Sequence, residues 1–257
     1  ITTGSANIAI GEAALTTLTT SLYPNIAIGV NALYSMATGY QNIAIGYTAG
    51  QSATGVGVTL VGDSAGFSVT SGNSNTCFGV AAGYSITTGA NNLCLGPSAG
   101  QSNQPTTVIT TQSHQIVVGN ADHTNAHIQI DWTVASDKRD KTDVTPLDMG
   151  LSFINKLEPV TYKWDKRAKY EEGETPDGTH KESWTDVGFL AQDVEKIEAE
   201  FGHKIEDETN LTTHMSEDES RYGLTYAKFV PMLVKSVQEL STQVDELKQE
   251  LATLKGE

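Results

Sequence analysis

The chain has 257 residues, 18% of them charged and 38% hydrophobic, and its formal net charge is −15. This length predicts one or two domains. So acidic a chain is a poor match for nucleic acid, because phosphate backbones attract clustered cations. No apolar run approaches the roughly 20 residues that span a membrane, so we expect no membrane insertion. Two cysteines are too few for a disulfide framework or a cysteine-only zinc site.

The charge is confined to one part of the chain. Residues 1–135 contain no Lys or Arg and only four acidic residues, namely Glu12, Asp63, Asp122 and Asp131. All 16 basic residues therefore lie in residues 136–257. A change of composition this sharp predicts two segments of different structure that join near residue 135.

A short motif repeats through the first segment. Asn7-Ile8-Ala9-Ile10-Gly11 recurs at residues 25–29 and 42–46, and degenerate copies follow at 58–62, 75–79, 92–96 and 115–119. A unit this short cannot bury an apolar face alone, so successive units must stack. Seven strands stacked about 4.8 Å apart make a rod about 30 Å long. The core of such a thin rod is weak, and three rods sharing an axis would strengthen it.

These units resemble the repeats of trimeric adhesin heads and phage tail fibres, in which Asn-x-Ala-Ile-Gly motifs wind into a β-roll. The resemblance covers residues 5–125. It implies an all-β, β-roll or β-helix-like fold, intertwined as a homotrimer, that binds a glycan or protein receptor on a host cell. Five tyrosines in or near turns would suit stacking on sugar rings or packing between subunits equally well, so none is assigned to a sugar site: Tyr23, Tyr34, Tyr40, Tyr47 and Tyr84.

The two cysteines occupy equivalent positions in consecutive units. Cys77 and Cys94 lie where earlier units have Ala9, Ala27 and Ala44. This position favours a small buried residue in the stack, and an inter-rung disulfide is the alternative.

Other polar side chains of the first segment give weak signals. Asp122 and Asp131 form its closest acidic pair, but no aromatic cluster supports them, so we expect no glycosidase activity. His123 and His127 are spaced to bind a metal only if they lie on a helix, whereas their surroundings indicate a turn leading into a strand. We therefore expect no metal and no cofactor.

The second segment has the pattern of an α+β domain. Thr145-Pro146 predicts the start of a helix that Pro159 ends. Residues 160–164 and 187–191 are predicted strands, separated by a charged loop at 165–183. A second helix follows, and its apolar face is formed by Val194, Ile197 and Phe201.

The C-terminus has a heptad pattern. Two sets of apolar residues, every seventh residue each, fill the a positions (Val230, Val237, Val244, Leu251) and the d positions (Leu233, Leu240, Leu247, Leu254). This pattern predicts a coiled coil about 37 Å long. An amphipathic helix packed on its own domain is the alternative. Val at a with Leu at d favours dimers, so the heptads alone do not predict a trimer.

The second segment also resembles a known family. Its signature is Ser136-Asp137-x-Arg139-x-Lys141, then Leu157-x-Pro159-Val160-x-Tyr162, then residues 188–194 (Gly-Phe-Leu-Ala-Gln-Asp-Val), and finally Tyr226 before the coiled coil. This order resembles the intramolecular chaperone domain at the C-terminus of phage tail spikes and fibres. A related domain occurs in a membrane-tethered animal transcription factor.

The resemblance implies a specific activity. Such domains trimerise, assist the folding of the preceding β-fibre and then cut themselves off with a Ser/Lys dyad. Here Ser136 would be the nucleophile, Lys141 the general base and Ala135–Ser136 the scissile bond. Asp137 and Arg139 would support the motif.

The implied chemistry is reasonable for these residue types. A serine hydroxyl needs a neighbouring base to become a nucleophile. A lysine amine, with a usual pKa of about 10.4, serves as that base only where burial or nearby cations favour its neutral form. Burial on assembly would supply this condition, and one turnover within the chain suffices.

Together these observations predict four segments: a β-repeat fibre shaft or tip at 1–126, a linker strand at 127–135, a self-cleaving chaperone domain at 136–225 and a coiled-coil helix at 226–257. We expect the tip of a viral tail fibre or spike that binds the host surface, joins the rest of the phage tail in the virion and is assembled in the host cytoplasm. The alternative is a bacterial trimeric autotransporter-like adhesin with a permanent coiled-coil stalk and no proteolysis.

Overall fold

The computed structural model describes residues 3–4, 6–21, 23–101, 108–171, 173–216 and 221–256. The chain divides into two compact units, one of residues 1–127 with 166–180 and the other of residues 128–165 with 181–257. Within the described residues, no helix combines the length and hydropathy needed to cross a bilayer.

The first unit is a β-solenoid built from short strands. The strands are β1 (Thr3–Gly4), β2 (Ile8–Ile10), β3 (Thr20–Ser21), β4 (Ile26–Ile28), β5 (Ile43–Ile45), β6 (Thr59–Val61), β7 (Thr76–Phe78), β8 (Leu93–Leu95) and β9 (Ile116–Val118). One seven-stranded parallel sheet runs β2-β4-β5-β6-β7-β8-β9, and β1 pairs with β3. Each predicted repeat contributes one strand to this sheet, so this part of the chain is a β-solenoid.

The solenoid core is a stack of equivalent side chains. The middle residues of successive strands lie opposite one another in register, as in Ala44↔Leu60, Leu60↔Cys77 and Cys77↔Cys94. All four side chains are fully buried. Because strand residues alternate in direction, the first and third residues of each strand point away from this core.

A ladder of buried asparagine side chains runs across the sheet at the amino-terminal ends of the strands. The Asn42 backbone N–H and side-chain amide both donate to Asn25 Oδ1 at 3.1 Å, and the Asn92 backbone N–H donates to Asn75 Oδ1 at the same distance. The repeat thus carries the partners for its own buried polar groups. Val58 replaces asparagine in the fourth unit, where its backbone N–H still donates to Asn42 Oδ1 at 2.9 Å.

The glycine that ends each strand is required by close packing. At Gly46 φ is +141°, and a Cβ would lie 2.2 Å from the carbonyl oxygen of Gly62 on the next rung. No L-residue side chain fits there.

Residues 166–180 belong to the solenoid unit, although they follow the solenoid repeats by some 40 positions of chain. The Lys166 ammonium donates to the carbonyl oxygen of Ala121 at 2.6 Å. Beyond it lies a 3-10 turn, Arg167–Lys169.

The second unit is α+β. Its elements are α1 (Leu151–Ile154), β10 (Val160–Tyr162), β11 (Asp186–Gly188), α2 (Ala191–Glu200), β12 (Thr213–Met215), β13 (Tyr222–Leu224) and α3 (Phe229–Lys255). Strands β10 and β11 pair antiparallel, as do β12 and β13. A small apolar core joins α1, α2 and the start of α3, and it consists of Met149, Phe153, Val194, Phe229 and Met232.

The first helix of this unit begins later than the sequence predicts. The expected start at Thr145-Pro146 is wrong, because α1 begins at Leu151. The Glu239 carboxylate on α3 accepts the Leu151 backbone N–H at 2.7 Å, so a distant side chain caps this helix in place of a local one. The second predicted strand also ends early, because α2 already begins at Ala191.

Candidate functional site

A tight turn begins at the junction of the two predicted segments. The Asp137 carboxylate caps the 3-10 turn Lys138–Asp140, accepting the Arg139 backbone N–H at 2.9 Å. The backbone N–H of Lys141 closes the turn by donating to the carbonyl oxygen of Lys138 at 3.3 Å. Asp is a favoured residue at such a position because its side chain satisfies an otherwise free N–H.

The turn brings the two predicted dyad side chains together. Lys141 Nζ lies 2.5 Å from Ser136 Oγ, within hydrogen-bond distance. The turn reverses the chain between them, so an amine and a hydroxyl five positions apart meet directly. Ala135, Ser136 and Lys141 are all exposed to solvent.

Asp137 and Arg139 form an ion pair beside this contact. The guanidinium binds the carboxylate with both Nε and Nη2, and Nη2 lies 2.6 Å from Asp137 Oδ2. The side-chain hydrogen bond from Arg139, with its backbone N–H, holds the pKa of the Asp137 carboxyl below its usual value. Arg139 is therefore held by Asp137, whereas Lys141 contacts Ser136. The contacts of Asp137 and Arg139 with each other shape the turn.

Tyr226 explains part of the downstream motif. Its hydroxyl accepts the backbone N–H of Phe189 at 3.1 Å. The same hydroxyl would lie 2.3 Å from a Cβ at residue 188, so a side chain at this position would displace Tyr226. Tyr226 therefore holds the end of β11 against the start of α3, and its hydroxyl packs on Gly188 and Phe189.

A buried carboxylate in this unit escaped the sequence analysis. Glu198 on α2 is fully buried and accepts hydrogen bonds from the backbone N–H and hydroxyl groups of Thr212 and Thr213. Burial alone would raise the pKa of this carboxyl, but the threonine hydrogen bonds outweigh burial and hold it below its usual value. The sequence does contain one sign of this burial, because Glu198 follows Val194 by four positions and therefore lies on the apolar face of the helix.

The remaining candidate residues do not gather into a site. Both cysteine thiols are free and buried, and their mutual hydrogen bond, together with burial, raises the pKa of Cys77. His123 closes a turn by accepting the Asn120 backbone N–H at 3.0 Å, and His127 is exposed. Across the described ranges, no three His, Cys, Asp or Glu side chains converge.

Three solenoid tyrosines form ring pairs between neighbouring rungs. Tyr23 packs on Tyr40 with ring centroids 5.3 Å apart, and Tyr84 stacks on Phe67 at 5.0 Å. Three of the five tyrosines are exposed, namely Tyr23, Tyr34 and Tyr47.

Comparison with known proteins identifies part of the second segment. Residues 136–203 match the Peptidase_S74 family model, described as the chaperone of endosialidase. The match begins at Ser136, the residue that Lys141 contacts, and it supports an intramolecular chaperone domain in the C-terminal part of the chain. No curated protein matches the chain, and neither does any solved structure.

Proposed function

We propose that residues 136–257 are a self-removing assembly chaperone for the solenoid, which forms the host-binding tip of a viral tail fibre or spike. Three copies assemble, and each chain is then cut between Ala135 and Ser136. The observation that carries this proposal is the contact of Lys141 Nζ with Ser136 Oγ at 2.5 Å, at the residue where the family match begins.

The chemistry needs only these two side chains and water. Neutral Lys141 takes the Ser136 hydroxyl proton while Oγ attacks the carbonyl carbon of Ala135. The C–N bond to Ser136 breaks, and the lysine proton passes to the departing amine. Water then hydrolyses the Ala135 ester, which leaves a carboxylate on Ala135 and restores the serine hydroxyl.

The exposed site of the single chain corresponds to the inactive state. A lysine amine acts as a general base only in its neutral form. Removing water from the site favours the neutral amine. Assembly of three copies around the Ser136–Lys141 turn would supply that burial, so cleavage would follow assembly.

The exposed face of the solenoid sheet supports association between copies. The third residues of the seven strands form one apolar column, and the first residues form a second column that Thr59 and Thr76 interrupt. The side chains exposed by 37–74% in these columns are Ile8, Ile10, Ile45, Phe78, Ile116 and Val118. An apolar surface of this length is typical of an interface. The same columns on other copies would cover it.

The two faces of helix α3 also support association between copies. Phe229, Met232 and Ser236 pack against the small core of their own unit. The eight heptad residues lie on the other face and are exposed by 45–85%. This leaves the a/d seam free to pair with helices of other copies. We assign three copies rather than two from the family resemblance of this domain.

Host binding is assigned to the solenoid, which would remain in the virion after the cut. Exposed Tyr34 and Tyr47 lie on its surface, where aromatic rings suit stacking on the apolar faces of sugars or packing on a protein. The receptor in this proposal is a glycan or protein of the host surface.

Mass spectrometry of four purified proteins tests the cut. We expect the wild-type chain to separate into residues 1–135 and 136–257, and Ser136→Ala and Lys141→Met to stay whole. Lys138→Met is the matched control, because Lys138 is an exposed lysine of the same turn that does not contact Ser136, and it should be cut normally.

Two outcomes would contradict the proposal. Equal cutting of Ser136→Ala and the wild type would remove Ser136 as the nucleophile. A wild-type chain that forms trimers and is never cut would favour the adhesin with a permanent stalk.

A further inference from the structure

The segment before the scissile bond has an apolar face that no described part of its own chain covers. Residues 128–135 alternate strictly, with Ile128, Ile130, Trp132 and Val134 on one side and polar residues between them. This period of two is the pattern of a strand with one buried face. Yet the four apolar side chains are exposed by 55–81%, and no strand of the described residues pairs with them.

We propose that residues 128–134 form an interchain lock, in which the apolar face of this segment packs against the same segment of the other copies at the shared axis. This inference rests on the proposed self-cleavage and assembly. It adds a function for the linker: it holds the copies together once the chaperone part has left.

The position of the cut indicates what covers the apolar face of this segment. Cleavage after Ala135 leaves this segment at the end of the retained fragment, so whatever covers it permanently must come from residues 1–135. In that fragment the inner strands β4 to β8 have neighbours on both sides, whereas the end strands β2 and β9 each have one open edge. Both end strands are only three residues long. Among the described residues, the stretch that matches the length of residues 128–134 is the equivalent segment of another copy.

Charge sets which face turns inward. The polar face carries Asp131, and residues 1–135 contain no Lys or Arg to pair with it. A carboxylate without a cation is costly to bury, so Asp131 faces water and the Ile-Ile-Trp-Val face turns to the axis. Parallel packing of like side chains is already how this chain builds its solenoid, where Ile26 lies opposite Ile43.

The retained fragment contains its own probe. The chain has three tryptophans, Trp132, Trp164 and Trp184, and only Trp132 lies before the cut. We expect fragment 1–135, purified after the full chain has cut itself, to be a trimer by native mass. Its tryptophan emission should be blue-shifted and poorly quenched by iodide.

A pair of variants in the full chain tests the lock independently. Ile130→Ser removes one apolar side chain from each copy, whereas Thr133→Ser changes the polar face. Both should be cut like the wild type. We expect the cut Ile130→Ser trimer to dissociate in detergent about tenfold faster or more, and Thr133→Ser to match the wild type.

Each contrary result has a separate meaning. Solvent-exposed Trp132 emission from a cut trimer, or unchanged detergent resistance in Ile130→Ser, overturns the lock and leaves the proposed function intact. Buried Trp132 in a monomeric fragment also overturns it, because the segment then folds back on its own chain. A wild-type chain that is never cut overturns both proposals.

Discussion

The two units of this chain are stabilised in different ways. In the solenoid, equivalent residues of neighbouring rungs contact one another, as when the exposed Thr70 hydroxyl donates to the Thr87 carbonyl and Thr87 to Thr110, both at 3.1 Å. In the C-terminal unit the important contacts are single and unrepeated. Glu198 binds two threonines, Glu239 caps α1, and Tyr226 seats on Gly188.

This difference bears on assembly. A repeat whose columns hold like residues fits almost equally well when a neighbouring copy slides by one rung, a shift of about 4.8 Å. The solenoid can therefore stabilise an aligned trimer without specifying the alignment. The unrepeated contacts of the C-terminal unit fix how α3 leaves its domain. In the proposed trimer this unit would set the register, and it would no longer be needed once the solenoids have docked.

The largest effect is expected from breaking the α3 seam. Leu240→Asp places three carboxylates at one layer of the proposed coiled coil, where their burial and mutual repulsion are unfavourable. We expect loss of trimers and loss of the cut, measured by native mass and by gel. Gln238→Asp adds the same charge at an exposed position outside the seam and should behave like the wild type. Normal cutting of monomeric Leu240→Asp would show that cleavage does not depend on assembly.

A smaller effect is expected from adding one methyl group to the solenoid. In Gly46→Ala the new Cβ meets the Gly62 carbonyl oxygen at 2.2 Å, and φ is +141°. We expect the free energy of unfolding to fall by about 3 kcal/mol or more. In Gly57→Ala φ is +69°, but the nearest atom lies 3.7 Å away, so about 1 kcal/mol should be lost. Thermal unfolding, monitored by circular dichroism, compares the stability of the two variants. Equal losses of stability would contradict the close packing of Gly46 on the next rung.

The solenoid could be predicted from sequence because its interactions are periodic. Each strand of the seven-stranded sheet lies where an Asn-x-Ala-Ile-Gly motif or a degenerate copy places it, including the unit in which Val58 replaces asparagine. The spacing of the motifs carries the register directly, since the stacked residue is always the one at the same place in the next unit.

The C-terminal unit was predicted less completely because its contacts join distant residues. The helix start at Thr145-Pro146 was a sound local signal, but Glu239, 88 positions after Leu151, caps the helix instead. The β12–β13 hairpin and the Glu198 contacts have no local pattern. The proximity of Ser136 and Lys141 was expected from the family resemblance, while the Asp137–Arg139 turn that produces it is visible only in the structure.

The smallest effect, and the one confined to the C-terminal unit, concerns Glu198. Its pKa in the folded chain lies below its usual value, so the ionised carboxylate stabilises the fold at neutral pH. That contribution is lost as the pH falls through the folded-state pKa, in the acid range below about 4.3. Glu198→Gln should lose about 1–2 kcal/mol at pH 7 and show a flatter acid limb.

The control for Glu198→Gln is Glu250→Gln, which neutralises an exposed carboxylate on α3. Thermal unfolding of Ser136→Ala chains between pH 7 and pH 3 keeps the two units covalently joined and reports both transitions. Because the buried core cluster of the solenoid contains no acidic side chain, the solenoid transition should move little with pH in every variant. The opposite result would be a solenoid transition that shifts with acid and a C-terminal transition that does not. It would mean that the Glu198 hydrogen bonds do not stabilise the C-terminal unit.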